Sequence, residues 1–462
     1  MKKRQLLTSF FLVFFIFVSL SAFSHPHPYP ATKRVLIISI DGLDARYLTN
    51  RDEYGLKVPT LRRLMANGVT ADGVVGVYPT LTYPSHTTLV TGALPIRHGI
   101  FGNDVPGPPD ADGRLNALWY ARDIKADTIW DAAQRTGMKV GLVSWPVAAG
   151  AGDYNIPEIW KPGGKLEDSL QVVAANAKPA GLMSEIESAD PEIYKKMTAD
   201  EGDDSRTRST EFIVEKKKPE VMLVHLWDLD HWEHKDGPFT PSVFAILEKV
   251  DAYVSRILGA YQRAGILDET TVFIVSDHGF KPVTRQINPG VLLVKNGLVK
   301  IGEINVSNGK PRAAVTNWKA FPYPTAGSCA ITLRDPNDLE TLNKVLEVFK
   351  PLAGRPGTGI LKVFEREEIR KLGGDTDAAV ILEAADGYYF GGGLAGDIIV
   401  DGTQKGTHGY LPLRYQTSFI ASGPGVGKRG SLGQVRMIDI GPTIAAVLGV
   451  KLRDAQGMRL SL

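Results

Sequence analysis

Cysteine is almost missing from this chain: Cys329 stands alone among 462 residues. No internal disulfide can form, so stability rests on a packed core rather than on covalent staples. Net charge is also small, formally +2, which excludes general binding to nucleic-acid backbones. Long apolar runs are absent except at the start. There Lys2, Lys3 and Arg4 precede the apolar stretch Phe10–Val18, and Ala22-Phe23-Ser24 offers a small-x-small cleavage site. Residues 1–24 therefore read as a secretory signal peptide and 25–32 as a short leader, which implies a periplasmic or secreted protein. A retained N-terminal anchor is the alternative. No membrane span is expected after signal cleavage. With no cysteine near the cleavage site, lipid attachment there is excluded. Losing three cations leaves 50 basic against 51 acidic residues.

What is present is a long alternation of strand and helix patterns. Lys33–Ile40 (KRVLIISI) is apolar past its two cations, as in a strand buried on both faces. Similar strands are expected at Lys139–Ser144, Val221–Leu226, Thr271–Ser276 and Gln416–Ala421, with a short one at Val74–Val77. Helices are expected at Pro59–Gly68, closed by Gly68, and at Asp127–Gly137, capped by Asp127. Further helices are expected at Ser205–Lys218, Pro241–Ala264 and Asp338–Phe349, and at Met437–Leu448 with Pro442 in its first turns. Such alternation predicts an α/β fold with a mainly parallel sheet covered by helices on both faces. Between Lys281 and Gly396 glycine and proline become frequent. The expected organisation is a core over 33–280, an inserted smaller subdomain or set of loops over 281–396, and the last part of the core over 397–462. No internal repeat of fixed period is visible.

The chemistry-bearing residues fall in five places. Asp41 ends the first strand, where open α/β sheets gather their chemistry. The turn Thr80-Leu81-Thr82-Tyr83-Pro84-Ser85-His86 leads into a helical run, with Pro84 suited to the first helical position. Thr82 then lies just before a helix N-terminus, which favours an anion such as phosphate. Asp230 and His234 are four apart, so one helical turn brings both to the same side. Asp277-His278 follows a strand, and His408 lies between Thr407 and Gly409. Three carboxylates and three imidazoles form a ligand mixture suited to zinc.

These motifs resemble the alkaline phosphatase superfamily and, within it, the type I phosphodiesterase/nucleotide pyrophosphatase family. The matching stretches are IISIDG at Ile37–Gly42, YPTLTYPSHTTLVTG at Tyr78–Gly92 and HGIFGN at His98–Asn103. DxxxH at Asp230–His234, SDHG at Ser276–Gly279, THGY at Thr407–Tyr410 and DIGPTIAAVLG at Asp439–Gly449 complete the set. The resemblance implies an alkaline-phosphatase-like fold and two Zn2+ ions. One would be held by Asp230, His234 and His408, the other by Asp41, Asp277, His278 and the Thr82 oxygen. It also implies Thr82 as nucleophile, a covalent phosphothreonine intermediate, and Asn103 as donor to a non-bridging phosphoryl oxygen. The family usually has proline before the DxxxH aspartate, where this chain has Leu229. His225 and His231 add competing imidazoles nearby. The implied substrate is a small phosphate diester or nucleotide-like pyrophosphate.

Other residues have blander readings: His86 as packing or orienting the turn, His98 as supporting the Asn103 loop. Tyr388–Gly393 is either a loop over the site or a turn, and Lys161 and Lys165 could reach the site. A phosphomonoesterase with the same metals is the alternative function. A phosphotransferase or mutase, or a non-catalytic binding protein of the same fold, follows. A sulfatase is disfavoured, because that branch uses a modified Cys or Ser. The leaving group and oligomeric state are not readable.

Overall fold

The structure is a computed structural model that describes residues 34–109, 116–195, 202–305 and 311–462. The signal-peptide and leader readings, with Lys33, lie outside the described residues. Eight strands form the central sheet: β1 (Arg34–Ile40), β2 (Gly68–Thr70), β3 (Val140–Val143), β4 (Tyr154–Ile156), β5 (Val221–Leu226), β6 (Thr270–Val275), β7 (Phe419–Ser422) and β8 (Gly430–Ser431). Their spatial order is β8-β2-β7-β6-β1-β5-β3-β4. β1 is central and pairs in parallel with β5 on one side and β6 on the other. Only β7 runs against its neighbours. Such a sheet needs cover on both faces, because crossover helices lie above and below it.

β1 shows how the sequence meets that requirement. Leu36, Ile38 and Ile40 join one apolar cluster, with the long helix Pro241–Arg263. Val35 and Ile37 join the opposite cluster, with the C-terminal helix Ile440–Leu448. A strand's side chains alternate faces, so a run of unbroken apolar residues serves both cores. Parallel strands also share one direction, so the C-terminal ends of β1, β5 and β6 open on the same edge. Asp41, Trp227 and Ser276 leave the sheet there.

Residues 281–396 are rich in strands of their own. They contain a four-stranded antiparallel sheet of Ala320–Thr325, Ser328–Leu333, Ala378–Ala384 and Ile360–Glu365. Gly387–Phe390 pairs in parallel with Lys281–Ile287, so the Tyr388–Gly393 stretch begins as a strand. These strands enclose a separate apolar cluster around Ile331, Phe349 and Leu382.

Several boundaries differ from the sequence reading. The helix from Pro59 ends at Ala66, and Gly68 opens β2 instead of capping it. The expected Val74–Val77 strand is Gly73–Val75. Thr128, not Asp127, caps the Ile129–Gln134 helix, because its hydroxyl and Asp131 form a reciprocal capping box. Asp127 instead pairs with Arg135 at 2.6 Å. The C-terminal helix begins at Ile440 after a short turn over Met437–Asp439.

Candidate active site

The helix α1 (Thr82–Thr91) is buried along nearly its whole length and packs between the sheet and the C-terminal helix. Two of its hydroxyls are satisfied internally: Thr87 and Thr91 donate to the carbonyls one turn back, Tyr83 and Thr87. Gly92 closes the helix at φ 64, where any Cβ would strike Pro442. The start differs from expectation. Leu81 is the extended cap residue, Thr82 is the first helical residue, and Pro84 takes the third position. Proline is tolerated there because the first turn's N–H groups have no acceptor inside the helix. Leu81 makes no side-chain cap. The cap comes from a distant loop: the Tyr83 N–H donates to Asn103 Oδ1 at 3.0 Å. With that oxygen engaged, the Asn103 amide group is left as a donor beside Thr82.

Two trios of candidate ligands meet at this helix end. In each, the ligand atoms lie within 4.8 Å of one another. Asp41, Asp277 and His278 form the buried trio; Asp230, His234 and His408 form the more open one. His278 Nε2 lies 3.2 Å from both Asp41 Oδ1 and Asp277 Oδ2, and 3.5 Å from Thr82 Oγ1. It also lies 3.9 Å from Asp230 Oδ1, so the trios adjoin. The His278 and His408 rings stack at 3.5 Å.

The surroundings aim these groups. Asp277 Oδ1 accepts the Gly42 N–H at 3.2 Å, and Asp41 Oδ2 lies 3.0 Å from His225 Nε2. Gly42 turns at φ 76, and a side chain there would collide with Glu233. His234 Nδ1 lies 3.0 Å from the Gly406 carbonyl and His408 Nδ1 3.0 Å from the Thr80 carbonyl. A proton on each Nδ1 leaves each Nε2 lone pair facing Asp230 Oδ1, at 3.5 and 3.7 Å. The helix α2 (Asp228–Asp236) that carries Asp230 and His234 is itself anchored. Buried Asp203 accepts the Trp227 and Asp228 N–H groups at 2.9 and 3.0 Å.

Three carboxylate oxygens, Asp41 Oδ1, Asp230 Oδ1 and Asp277 Oδ2, are buried without any hydrogen-bond partner. Orphaned carboxylate oxygens facing neutral imidazoles are costly unless a cation joins them. Burial, then the Asp277 and Asp230 charges, pushes the Asp41 carboxyl well above its usual range. Asp277 is raised to about 6, mainly by burial. Burial drives His408 down to about 4 and His278 well below its ordinary value, so both are neutral, as ligation requires. The donor set therefore fits divalent metal.

His225 does not compete for the Asp230 position. It lies under the opposite trio, with Nδ1 2.8 Å from Glu158 and 3.1 Å from the Ser144 carbonyl. Burial opposes its charged form, but Glu158 and Asp41 outweigh that and hold its pKa well above the ordinary imidazole value. Glu158 is a residue that sequence reasoning missed; it is far along the chain and sits in no motif. Glu233 was missed too, though it lies between Asp230 and His234. It is fully buried and accepts from the Tyr47 hydroxyl at 2.6 Å. His86 orients the turn, with Nδ1 2.8 Å from the Thr82 carbonyl and Nε2 2.8 Å from Ser39. His98 braces Thr88 at 3.0 Å and the Ile100 N–H at 3.1 Å. Lys161 pairs with Asp168 at 3.3 Å, and with Lys165 it lines a separate cavity beyond Glu158. His231, Trp145 and Trp232 are not among either trio, and Trp145 is core.

The profile of the type I phosphodiesterase/nucleotide pyrophosphatase family matches residues 35–411. Human ectonucleotide pyrophosphatase/phosphodiesterase family member 1 is 24% identical over 260 residues, 54% of this chain and 24% of that protein. Human member 5 is 26% identical over 276 residues, 59% of this chain and 50% of that protein. The matching segments thus span between a quarter and a half of the length of these two curated relatives. The solved structure of murine member 5 superposes with a TM-score of 0.61 at 21% identity, covering 93% of this chain and 97% of that one. An inactive threonine-to-alanine form of the same murine protein, in complex with AMP, matches at 0.61 and 20%. The likeness extends over 93% of the chain, so the fold is alkaline-phosphatase-like. With the profile running from β1 through the His408 loop, the chain belongs to the type I phosphodiesterase/nucleotide pyrophosphatase family.

Proposed function

We propose that this protein is an exported, zinc-dependent hydrolase of phosphodiester or pyrophosphate bonds that works through a covalent intermediate on Thr82. The observation that carries the reading is the meeting of two metal-type trios at the N-terminal end of a buried helix, with a threonine hydroxyl 3.5 Å from one of the ligands. Asp41, Asp277, His278 and Thr82 would hold one zinc ion, and Asp230, His234 and His408 the other. Two bound zinc ions would supply Lewis acidity on both sides of phosphorus and lower the pKa of a ligated hydroxyl.

The chain's own groups do the rest. Thr82 Oγ1 attacks phosphorus in line, forming the Thr82 O–P bond as the bond to the leaving oxygen breaks. The Asn103 amide donates to a non-bridging oxygen, since its carbonyl is already held by the Tyr83 N–H. Water then attacks the phosphothreonine in a second in-line step and restores the hydroxyl. A monoester carries one more charge at phosphorus than a diester and usually needs an added cation. Lys161 and Lys165, the lysines that could have supplied it, line another cavity, which supports the diesterase reading. The complex of the murine relative with AMP is in keeping with a nucleotide-like substrate.

The test joins metal analysis of the purified protein to rates on bis-(4-nitrophenyl) phosphate and 4-nitrophenyl phosphate, each divided by its uncatalysed rate. The expected result is two zinc equivalents, loss of activity on chelation, and a higher diester value. Active protein without transition metal, or a higher monoester value, would overturn it.

A further inference from the structure

A cavity of about 410 Å³ opens beside Asn103, His234 and His408, large enough for a small organic group. One wall comes from the 281–396 region, where Phe321, Tyr323 and Leu394 present apolar surface. The facing wall is the Asn103 loop with Asp104, and Gln404 also lines the space. Among the described residues lining it there is no lysine or arginine, and Asp104 is the only carboxylate. On the other side of Thr82 the neighbouring ring is not open. Tyr83 is 3% exposed, packed with Ile100 and Val147 under Leu118 and Trp119.

Direction follows from the nucleophile. Thr82 Oγ1 sits against His278, in the buried trio. In-line displacement sends the leaving oxygen to the far side of phosphorus, toward His234 and His408, where the cavity opens. We infer that this cavity receives the leaving group, and that it selects an uncharged aromatic or other apolar alcohol over a polyphosphate. Apolar walls gain from covering such a group. A polyphosphate there would bring several negative charges next to Asp104, and beyond the metal trio no described lysine or arginine lines the walls to meet them. The inference rests on the hydrolase reading above and names the substrate class of that site.

The test uses two thymidine substrates that transfer the same thymidylyl group: the 4-nitrophenyl ester of thymidine 5′-monophosphate and thymidine triphosphate. Their kcat/KM ratio is measured for the zinc-loaded wild type and for Gln404→Lys and Asp104→Asn, so that intrinsic reactivity cancels between proteins. Gln404→Lys adds a cation and Asp104→Asn removes an anion. Each should move the ratio toward the triphosphate, by about tenfold for Gln404→Lys. A ratio unmoved by both changes, with both substrates turned over, would overturn the leaving-group assignment while sparing the hydrolase reading. No turnover of either substrate by zinc-loaded wild type would overturn both.

Discussion

The two ligand trios differ in how they are held. Asp41, Asp277 and His278 are at most 3% exposed. Behind them stand partners of their own: His225 and Glu158 behind Asp41, and the Gly42 N–H behind Asp277. In the other trio the Asp230 and His234 side chains are 20% and 24% exposed, and His234 and His408 border the open cavity. Their imidazoles take hydrogen bonds to backbone carbonyls rather than to charged side chains. The difference teaches a division of labour. On the proposed mechanism the enclosed trio would pre-organise the nucleophile's side at the cost of two crowded carboxylates, and the open trio would face the departing group and the entering water.

The largest expected effect is on the enclosed side. Thr82→Ala should lower kcat by about ten-thousandfold or more, since it deletes the oxygen proposed to attack phosphorus. Rapid acid quench and mass spectrometry with the 4-nitrophenyl ester of thymidine 5′-monophosphate should find a thymidylyl group on Thr82 in the wild type and none in the variant. Next, Asp277→Asn and His234→Ala set the trios against each other. Each should cost about a thousandfold without added metal. Excess zinc should restore much of the His234→Ala activity and little of the Asp277→Asn activity, because only the open trio exchanges with solvent. Equal rescue of both would dissolve the distinction.

A smaller effect tests the backing of the enclosed trio. His225→Gln should weaken zinc affinity about 10- to 100-fold, read by competition with a chelator, with little change at saturating zinc. The smallest effect sharpens the open side. The Tyr323 hydroxyl accepts the Asp104 N–H at 3.1 Å and donates to the Asp104 carbonyl at 2.9 Å, clamping the loop that carries Asn103. Tyr323→Phe should lower kcat about fivefold to tenfold, about 1 kcal/mol and so roughly half of what the two lost hydrogen bonds are worth together, with KM nearly unchanged. Added to Asn103→Ala it should cost almost nothing more, since both changes act through the same donor. Full additivity would reduce Tyr323 to a packing residue.

Legibility varied with the range of the interaction. β1, β5 and β6 were readable because an apolar run with β-branched residues encodes a strand buried on two faces. Asp230 and His234 were readable as a pair because helical spacing alone brings them together. Helix starts marked by proline, at Pro59 and Pro241, were readable too, but others were not. The choice between Asp127 and Thr128, or the shift that makes Thr82 helical, turns on reciprocal hydrogen bonds and a cap from Asn103. His225 was misjudged for the same reason: nearness to Asp230 in sequence suggested competition, whereas β5 points it beneath Asp41. The 281–396 region read as glycine- and proline-rich pieces, because the pairings that join its hairpins into sheets, such as Ser328–Leu333 with Ala378–Ala384 and Lys281–Ile287 with Gly387–Phe390, link segments far apart in the chain.

By itself the sequence determined the kinds of groups present and their local order. It held three aspartates, three histidines and a threonine at the ends of recognisable elements, since periodicity and capping are properties of neighbouring residues. Only the tertiary structure decided which of those groups share a trio, which oxygens are left without partners, and which side of Thr82 is open. Those facts depend on parallel strands ending at a common edge and on contacts between residues hundreds of positions apart, such as Thr80 with His408 and Asp104 with Tyr323. No local pattern encodes such contacts, because their free energy appears only when the whole core has packed.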